Sequence, residues 1–228
     1  DVEFADRLEL LAFNSLPGTM TPDCWAHQYD QQANQVLVSV AERDWSTNGP
    51  NSNIYGLMPN YPCCLANFHQ GWPKFVEHMW YATPDGGLAA MAYGPNQVSA
   101  FIGKGVPITI RQTTDYPFSD TLKFEIELEK PASFPLYFRV PGWVNEAQMR
   151  INDEAPRTHG PGQLLSIKRK WRSGDVVQLV LPASLQTERR FNNSIAIRRG
   201  PLYFALRIEK EFTKIQFEEK SFRSIPYK

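Results

Sequence analysis

Thr121-Leu122-Lys123-Phe124-Glu125-Ile126-Glu127-Leu128-Glu129 decides how most of this chain folds. Apolar and charged residues alternate through it without a break. Successive side chains of a strand point to opposite faces. Leu122, Phe124, Ile126 and Leu128 therefore share one side, and Lys123, Glu125, Glu127 and Glu129 the other. A strand with one dry and one wet face belongs to an antiparallel sheet. Its acidic row reads as a solvated face, not as a site.

The same period of two begins at Gly87 and recurs to the end of the patterned sequence. Strands are expected at Leu88–Tyr93, Val98–Ile102, Ile108–Gln112 and Leu136–Val140. Others follow at Gln148–Ile151, Leu164–Lys168, Val176–Leu181, Ser194–Arg198 and Leu202–Ile208. Turns such as Pro141-Gly142 and Ser173-Gly174-Asp175 separate them. Many short strands at roughly ten-residue spacing predict an antiparallel β-sandwich. The tail from Glu209 to Lys228 is charged and weakly patterned, either an edge strand or disordered.

Upstream, the period is helical. Residues 2–16 place Phe4, Leu8, Leu11, Ser15 and Leu16 at spacings of three and four, and Pro17-Gly18 ends the run. Residues 17–62 are mostly irregular, with a short strand expected at Asn34–Val40. Long irregular loops are usually functional, so His27, Gln28 and Tyr29 are candidate sugar contacts, set against a plain packing role. A second helix carries Leu65, Phe68, Trp72, Phe75, Val76, Met79 and Trp80 on one stripe. Pro73 predicts a kink near Trp72 or two helical pieces, and Thr83-Pro84-Asp85-Gly86-Gly87 should end the helix. The change of period divides the chain into a helical and loop segment, 1–83, and a sandwich, 84–228. The fold class is α+β.

The chain has 228 residues, 42% hydrophobic and 21% charged, an ordinary soluble composition. Lys+Arg and Asp+Glu balance at 24 each, so no net field points to nucleic acid or an anionic membrane. No apolar run approaches the roughly 20 residues of a membrane helix. The first residues show no basic and apolar leader, and the chain starts inside a helical pattern, as a piece of something longer would. Three cysteines cannot all pair. Free thiols and no visible leader favour a reducing compartment such as the cytoplasm.

Two of those cysteines are adjacent, Cys63 and Cys64, at the start of the second helix. Adjacent cysteines rarely bond to each other. Two thiolates facing a metal is one reading; two small buried residues at a helix start is the other. Cys24 fits no common zinc spacing with them and reads as a buried small residue. His69 lies close in sequence and reads as an ordinary hydrogen-bonded histidine. No phosphate loop, nucleotide fingerprint or Ser/His/Asp signature is present.

Cys63-Cys64-x-x-Asn67, followed by His69-Gln70-Gly71-Trp72-Pro73-Lys74-Phe75, resembles the paired-cysteine segment of the glycoside hydrolase family 127 group, the β-L-arabinofuranosidase-like proteins. Gln112-Thr113-Thr114-Asp115-Tyr116-Pro117, Phe138-Arg139-Val140-Pro141-Gly142-Trp143, Trp171-Arg172-Ser173-Gly174-Asp175-Val176-Val177 and Arg199-Gly200-Pro201-Leu202 continue the likeness in order. The resemblance implies that residues 1–83 are the end of an (α/α) barrel, joined to the sandwich. It implies a retaining hydrolase of L-arabinofuranoside-like substrates. Cys63 would be both nucleophile and zinc ligand, and Cys64 a second ligand. The family's Glu-x-Cys ligands and acid/base glutamate have no matching positions here. The chain is therefore expected to be incomplete as an enzyme, with zinc weak or absent. The alternative is a non-catalytic carbohydrate-binding or structural β-sandwich protein. The apolar faces of the two helices, cut from their barrel partners, are expected to meet another copy of the chain or to fold back over the sandwich.

Overall fold

The structure is a computed structural model and describes residues 1–32, 37–209 and 211. The expected strand at 34–40 therefore lies partly outside the described residues; within them, 37–40 form no strand. The expectations for the tail lie mostly outside as well. The chain divides into two compact units. One comprises Asp1–Leu10, Lys74–Leu185 and Arg199–Leu202; the other comprises Leu11–Pro73, Gln186–Arg198 and the described residues from Tyr203 onward.

The first unit holds the sandwich. Its six-stranded sheet runs in the order β3 (Asn96–Ile102), β4 (Val106–Thr113), β5 (Thr121–Leu128), β10 (Val176–Val180), β7 (Ala147–Ile151), β8 (Arg157–His159). The four-stranded sheet runs β1 (Trp80–Ala82), β2 (Leu88–Ala90), β6 (Ala132–Val140), β9 (Gln163–Trp171). All the pairings are antiparallel except β2 with β6, which is parallel. On β5, Leu122, Phe124 and Ile126 are fully buried, while Lys123 and Glu125 form an exposed ion pair of 2.6 Å. The alternation read from the sequence is the alternation of the pleat. Phe124 meets Phe138 of the facing sheet with ring centroids 4.9 Å apart, and Trp80 edge-on at 6.0 Å. These aromatic contacts close the core between the sheets.

Three strands escaped the sequence reading. Trp80–Ala82 is β1, not helix: the second helix, α3 (Cys63–Glu77), stops short of Thr83. Met79 is buried where the chain turns into the strand, and its carbonyl accepts the N–H groups of Met91 and Ala92. β8 is Arg-Thr-His and β11 (Leu185–Arg189) is mostly polar, so neither carries an apolar period. β6 starts earlier than expected because Pro135 is tolerated inside it. The β2 register begins one residue later, at Leu136, so the missing proline donor interrupts no β2 pairing. Gly87 makes this approach possible: a Cβ there would stand 2.1 Å from the Pro135 carbonyl oxygen.

The first helix, α1 (Val2–Leu10), is held to the sandwich by charge rather than by the expected apolar stripe. Phe4 is 70% exposed, and the buried residues of α1 are Ala5 and Glu9. Arg139, fully buried in β6, pairs with Glu9 at 2.5 Å and with Asp6. Its Nε donates to the Met91 carbonyl at 2.5 Å, and its guanidinium lies 5.3 Å from the Tyr93 ring centre. Glu9 also accepts the Tyr93 N–H at 2.9 Å and the Tyr116 hydroxyl at 2.6 Å. Asp6 accepts the Gly142 N–H at 2.8 Å. Burial works against the Arg139 charge, but Glu9 and the two tyrosines outweigh it and hold the guanidinium charged. Burial first, and then the Glu9 carboxylate, push the Tyr116 hydroxyl far up, so it stays a donor.

In the second unit the helix continues as a π-helical turn, Leu11–Ser15, and a short α2 (Leu16–Gly18). The wider π turn shifts the phase of the side chains, and Leu11 is left 59% exposed. The helix α3 runs unbroken through Pro73, so the two-piece alternative does not form. Of its expected stripe, Leu65 is exposed, and in the last turn, which belongs to the first unit, Phe75 is buried and Val76 exposed. A Cβ on Gly71 would stand 2.6 Å from Leu16 Cδ1, so this glycine sets how closely α3 packs on α2. A small sheet in the order β11-β12-β13 has its middle and last strands at Ile195–Arg199 and Leu202–Phe204. Among the described residues, the helical structure after residue 110 is the short 3-10 segment Phe191–Asn193.

Two stability predictions follow from this packing. Arg139→Leu leaves Glu9 buried without its cation and should cost about 3–5 kcal/mol; urea denaturation of the chain measures it, and a loss under 1 kcal/mol would refute the anchoring role. Gly87→Ala should lower the melting temperature far more than Gly162→Ala. Gly162 has open space around it, although its φ of +68° makes that control itself mildly strained.

Candidate functional site

The paired cysteines open α3, immediately after Pro62. The Pro62 carbonyl accepts the Ala66 N–H at 3.2 Å. A proline just before a helix loses no helical donor. Cys63 is exposed and Cys64 half-exposed, and both are free thiols. The reading of two buried small residues therefore fails for Cys63. The Cys64 thiol points at the Tyr29 carbonyl, 3.9 Å away. Burial raises the Cys64 thiol above the usual range, and the neighbouring Cys63 adds to this. Tyr29 is also raised, by burial and then by Cys63 and Asp30.

The irregular stretch before α3 is packed rather than loose. His27 exchanges two backbone hydrogen bonds with Gly56, at 3.0 and 3.1 Å. His27 and Gln28 are buried, and the Gln28 amide donates to the Asn53 carbonyl. Tyr55 donates its hydroxyl to the Gly18 carbonyl at 2.6 Å. Asp30 accepts from Ser46 and from Asn48. Burial alone would raise Asp30, but hydrogen bonds from Ser46, Asn48 and Ser52 outweigh it and hold the carboxyl below its ordinary value. Of the three candidate sugar contacts, His27 and Gln28 thus serve packing. Tyr29 alone lies beside the cysteines, with Tyr61 against it at a ring separation of 5.3 Å. Tyr61 is exposed and went unnoticed in the sequence, although it sits two residues before Cys63.

Cys24 is exposed, not buried. It occupies a tight turn with φ 57°, where its N–H donates to the Thr21 carbonyl at 2.8 Å. The turn aims its side chain outward. His69 is exposed on α3. Among the described residues, no group of three or more His, Cys, Asp or Glu gathers as a metal site would.

Residues 87–183 match the family model "Beta-L-arabinofuranosidase, GH127 middle domain". This chain resembles the glycoside hydrolase family 127 group. The GH127-like fold is equally visible in solved structures. A glycoside hydrolase superposes with a TM-score of 0.74 at 21% identity, over 89% of this chain and 34% of its own length. A GH127 β-L-arabinofuranosidase from Geobacillus stearothermophilus T6 does so at 0.69 and 21%, over 89% and 32%. A further GH127 β-arabinofuranosidase gives 0.63 and 20%, over 89% and 33%. These likenesses establish the fold, and the chain spans about a third of each of these proteins. No curated protein relative matches the chain. The matched middle domain corresponds to the sandwich core, and Cys63 and Cys64 lie upstream of it.

The two thiols should differ in reactivity. At a pH of about 8 an ordinary thiol is partly ionised, and only the thiolate is alkylated. Iodoacetamide should modify exposed Cys63 faster than Cys64, located by tandem mass spectrometry of the peptide that carries both. Equal rates would contradict the environment described for Cys64.

Proposed function

We propose that this chain is part of a retaining glycoside hydrolase acting on L-arabinofuranoside-like sugars, with Cys63 as its nucleophile. The observation that carries the reading is the GH127 middle-domain match over residues 87–183, joined to an exposed cysteine at the start of α3. In the proposed reaction the Cys63 thiolate attacks the anomeric carbon as the bond to the leaving oxygen breaks. The leaving oxygen takes a proton, and water then displaces the sulfur with a second inversion, restoring the configuration. Tyr29 and Tyr61 stand beside this position as an aromatic wall against which the sugar could rest.

Zinc would lower the thiol's proton affinity and fix its direction. Two thiols are fewer than the three protein ligands of a catalytic zinc, so Cys63 and Cys64 alone do not fit the metal. No carboxylic acid of this chain matches the family's acid/base. Both groups would come from residues outside the 228, and we assign no step to the metal.

A second reading is favoured by the position of the family match, which covers the sandwich and leaves out the cysteines. On it, the sandwich is an accessory module that binds carbohydrate or supports a catalytic domain. The exposed apolar residues Phe4, Leu65 and Val76 fit a docking role in either case, including association with a second copy of the chain, which light scattering tests.

Aryl β-L-arabinofuranoside turnover decides between the readings. A longer natural chain containing these residues should release the aglycone, and Cys63→Ser should abolish this while leaving the melting temperature within a few degrees. The 228-residue chain alone should show no turnover and retain little zinc after dialysis. Turnover that survives Cys63→Ser would overturn the nucleophile assignment.

A further inference from the structure

The two sheets of the sandwich end in four edge strands, β1, β9, β3 and β8, and three of these edges are blunted. β1 and β8 are three residues long. β9 is nine residues long but carries Lys168, Arg169 and Lys170. Short strands and edge cations are ordinary means by which a sheet keeps other chains off its unpaired backbone. β3 has neither. Its seven residues, Asn96-Gln97-Val98-Ser99-Ala100-Phe101-Ile102, include no charge, no proline and no glycine. Along 97–101 the backbone pairs with β4 and, among the described residues, with nothing on its other side. The Gly86 carbonyl accepts the Gly103 N–H at 2.8 Å, just past the strand, so this contact closes the end of the edge and leaves the strand itself open.

What this strand presents is complementary to itself. When two β3 strands run antiparallel over their full length, Ser99 falls on the two-fold axis, because it is the central residue of the seven. The Ser99 hydroxyl already stands 3.1 Å from the Thr109 hydroxyl across the β3–β4 pair. The axis row then reads Thr109, Ser99, Ser99, Thr109, four hydroxyls in line, each able to donate to one neighbour and accept from another. Phe101, 77% exposed, falls opposite Gln97 of the second copy, whose stem its ring can cover. On the other face, half-buried Val98 falls opposite half-buried Ala100. The strand has no charge, so the pairing brings no like charges together within it.

We propose that β3 is a dimer interface, in which two copies of the chain pair their β3 strands antiparallel about Ser99 and two six-stranded sheets continue as one. Main-chain hydrogen bonds supply the attraction, and the side-chain rows fix the register. An unrelated peptide would have to bring a hydroxyl opposite Ser99 and a long stem opposite Phe101; a second copy brings both by symmetry. The unpaired backbone groups are hydrated before they pair, so each new bond adds only a modest net gain, and the dimer is a reversible one. This contact is separate from the exposed faces of α1 and α3, and it goes beyond the hydrolase reading without depending on it.

Sedimentation velocity of the 228-residue chain, from about 1 µM to about 1 mM, should show a monomer passing reversibly into a dimer. Ser99→Lys and Ser99→Glu each set two like charges against one another on the axis. Each should weaken the dimer at least tenfold, with an unchanged melting temperature and circular dichroism spectrum. Mixed in equal amounts, the two variants should form a heterodimer at least as tight as the unaltered dimer, because lysine then faces glutamate. Phe4→Ser, on α1, should leave the association unchanged. A monomer at every concentration would overturn the proposal. So would a dimer that survives Ser99→Lys, a mixture of the two variants that stays monomeric, or a dimer lost on Phe4→Ser, which would move the contact to α1. Arabinofuranoside turnover and its dependence on Cys63 are read separately, so failure of this interface and failure of the hydrolase reading are distinguishable.

Discussion

One buried guanidinium organises the first unit. Arg139 is fully buried near the end of β6, a place where an unpaired charge would cost several kcal/mol. Around it stand Asp6 and Glu9 from α1, the Met91 carbonyl and the face of Tyr93, although Nη2 meets Glu9 as an ion pair without hydrogen-bond geometry. Glu9 in turn ties Tyr93 and Tyr116 to the same point. The consequence is positional. A helix that buries little apolar surface is nevertheless fixed in place, because its two carboxylates are the anions that meet the strand charge. Buried ion pairs are weak sources of net stability but strong sources of uniqueness in some proteins, and this network has the form that such specificity takes.

This anchor explains where sequence reading succeeds and where it stops. β5 is legible because Leu122 to Leu128 alternate over a face buried on one side only. The sandwich as a class follows from many such segments. α1 is legible as a helix, but its buried face is not. The periodicity of Phe4, Leu8 and Leu11 selects an apolar stripe, whereas the contact that matters runs through Asp6 and Glu9, charged residues whose partner lies more than a hundred positions away. Nothing local announces that Arg139 will be buried. Trp80 and Met79 continue a helical stripe by spacing, yet β1 pairs with β2 from Trp80 onward. The tertiary ladder overrides the local period.

The candidate site was legible by composition and motif rather than by geometry. Adjacent cysteines before a patterned helix stand out in a chain with three, and the structure exposes the first of them. Tyr61 was invisible because an aromatic residue in an irregular loop has no period to break. The reverse error occurred at Cys24, where a small apolar residue suggested burial and the left-handed turn at φ 57° decided otherwise. His27 and Gln28 show how a polar stretch between aromatics can be a packed loop core: their polar atoms are answered by Gly56 and Asn53.

The Asp6–Arg139 pair spans 133 positions and the Glu9–Tyr116 hydrogen bond 107. A ribosome adds residues one end first, at roughly 5–20 per second. The helix α1 therefore leaves the tunnel seconds before the strand that receives it has been made. During that interval Asp6 and Glu9 remain hydrated carboxylates without the cation that will hold them. The contacts that lock α1 therefore cannot form until more than a hundred further residues have been made, and the placing of this helix is a late event in folding.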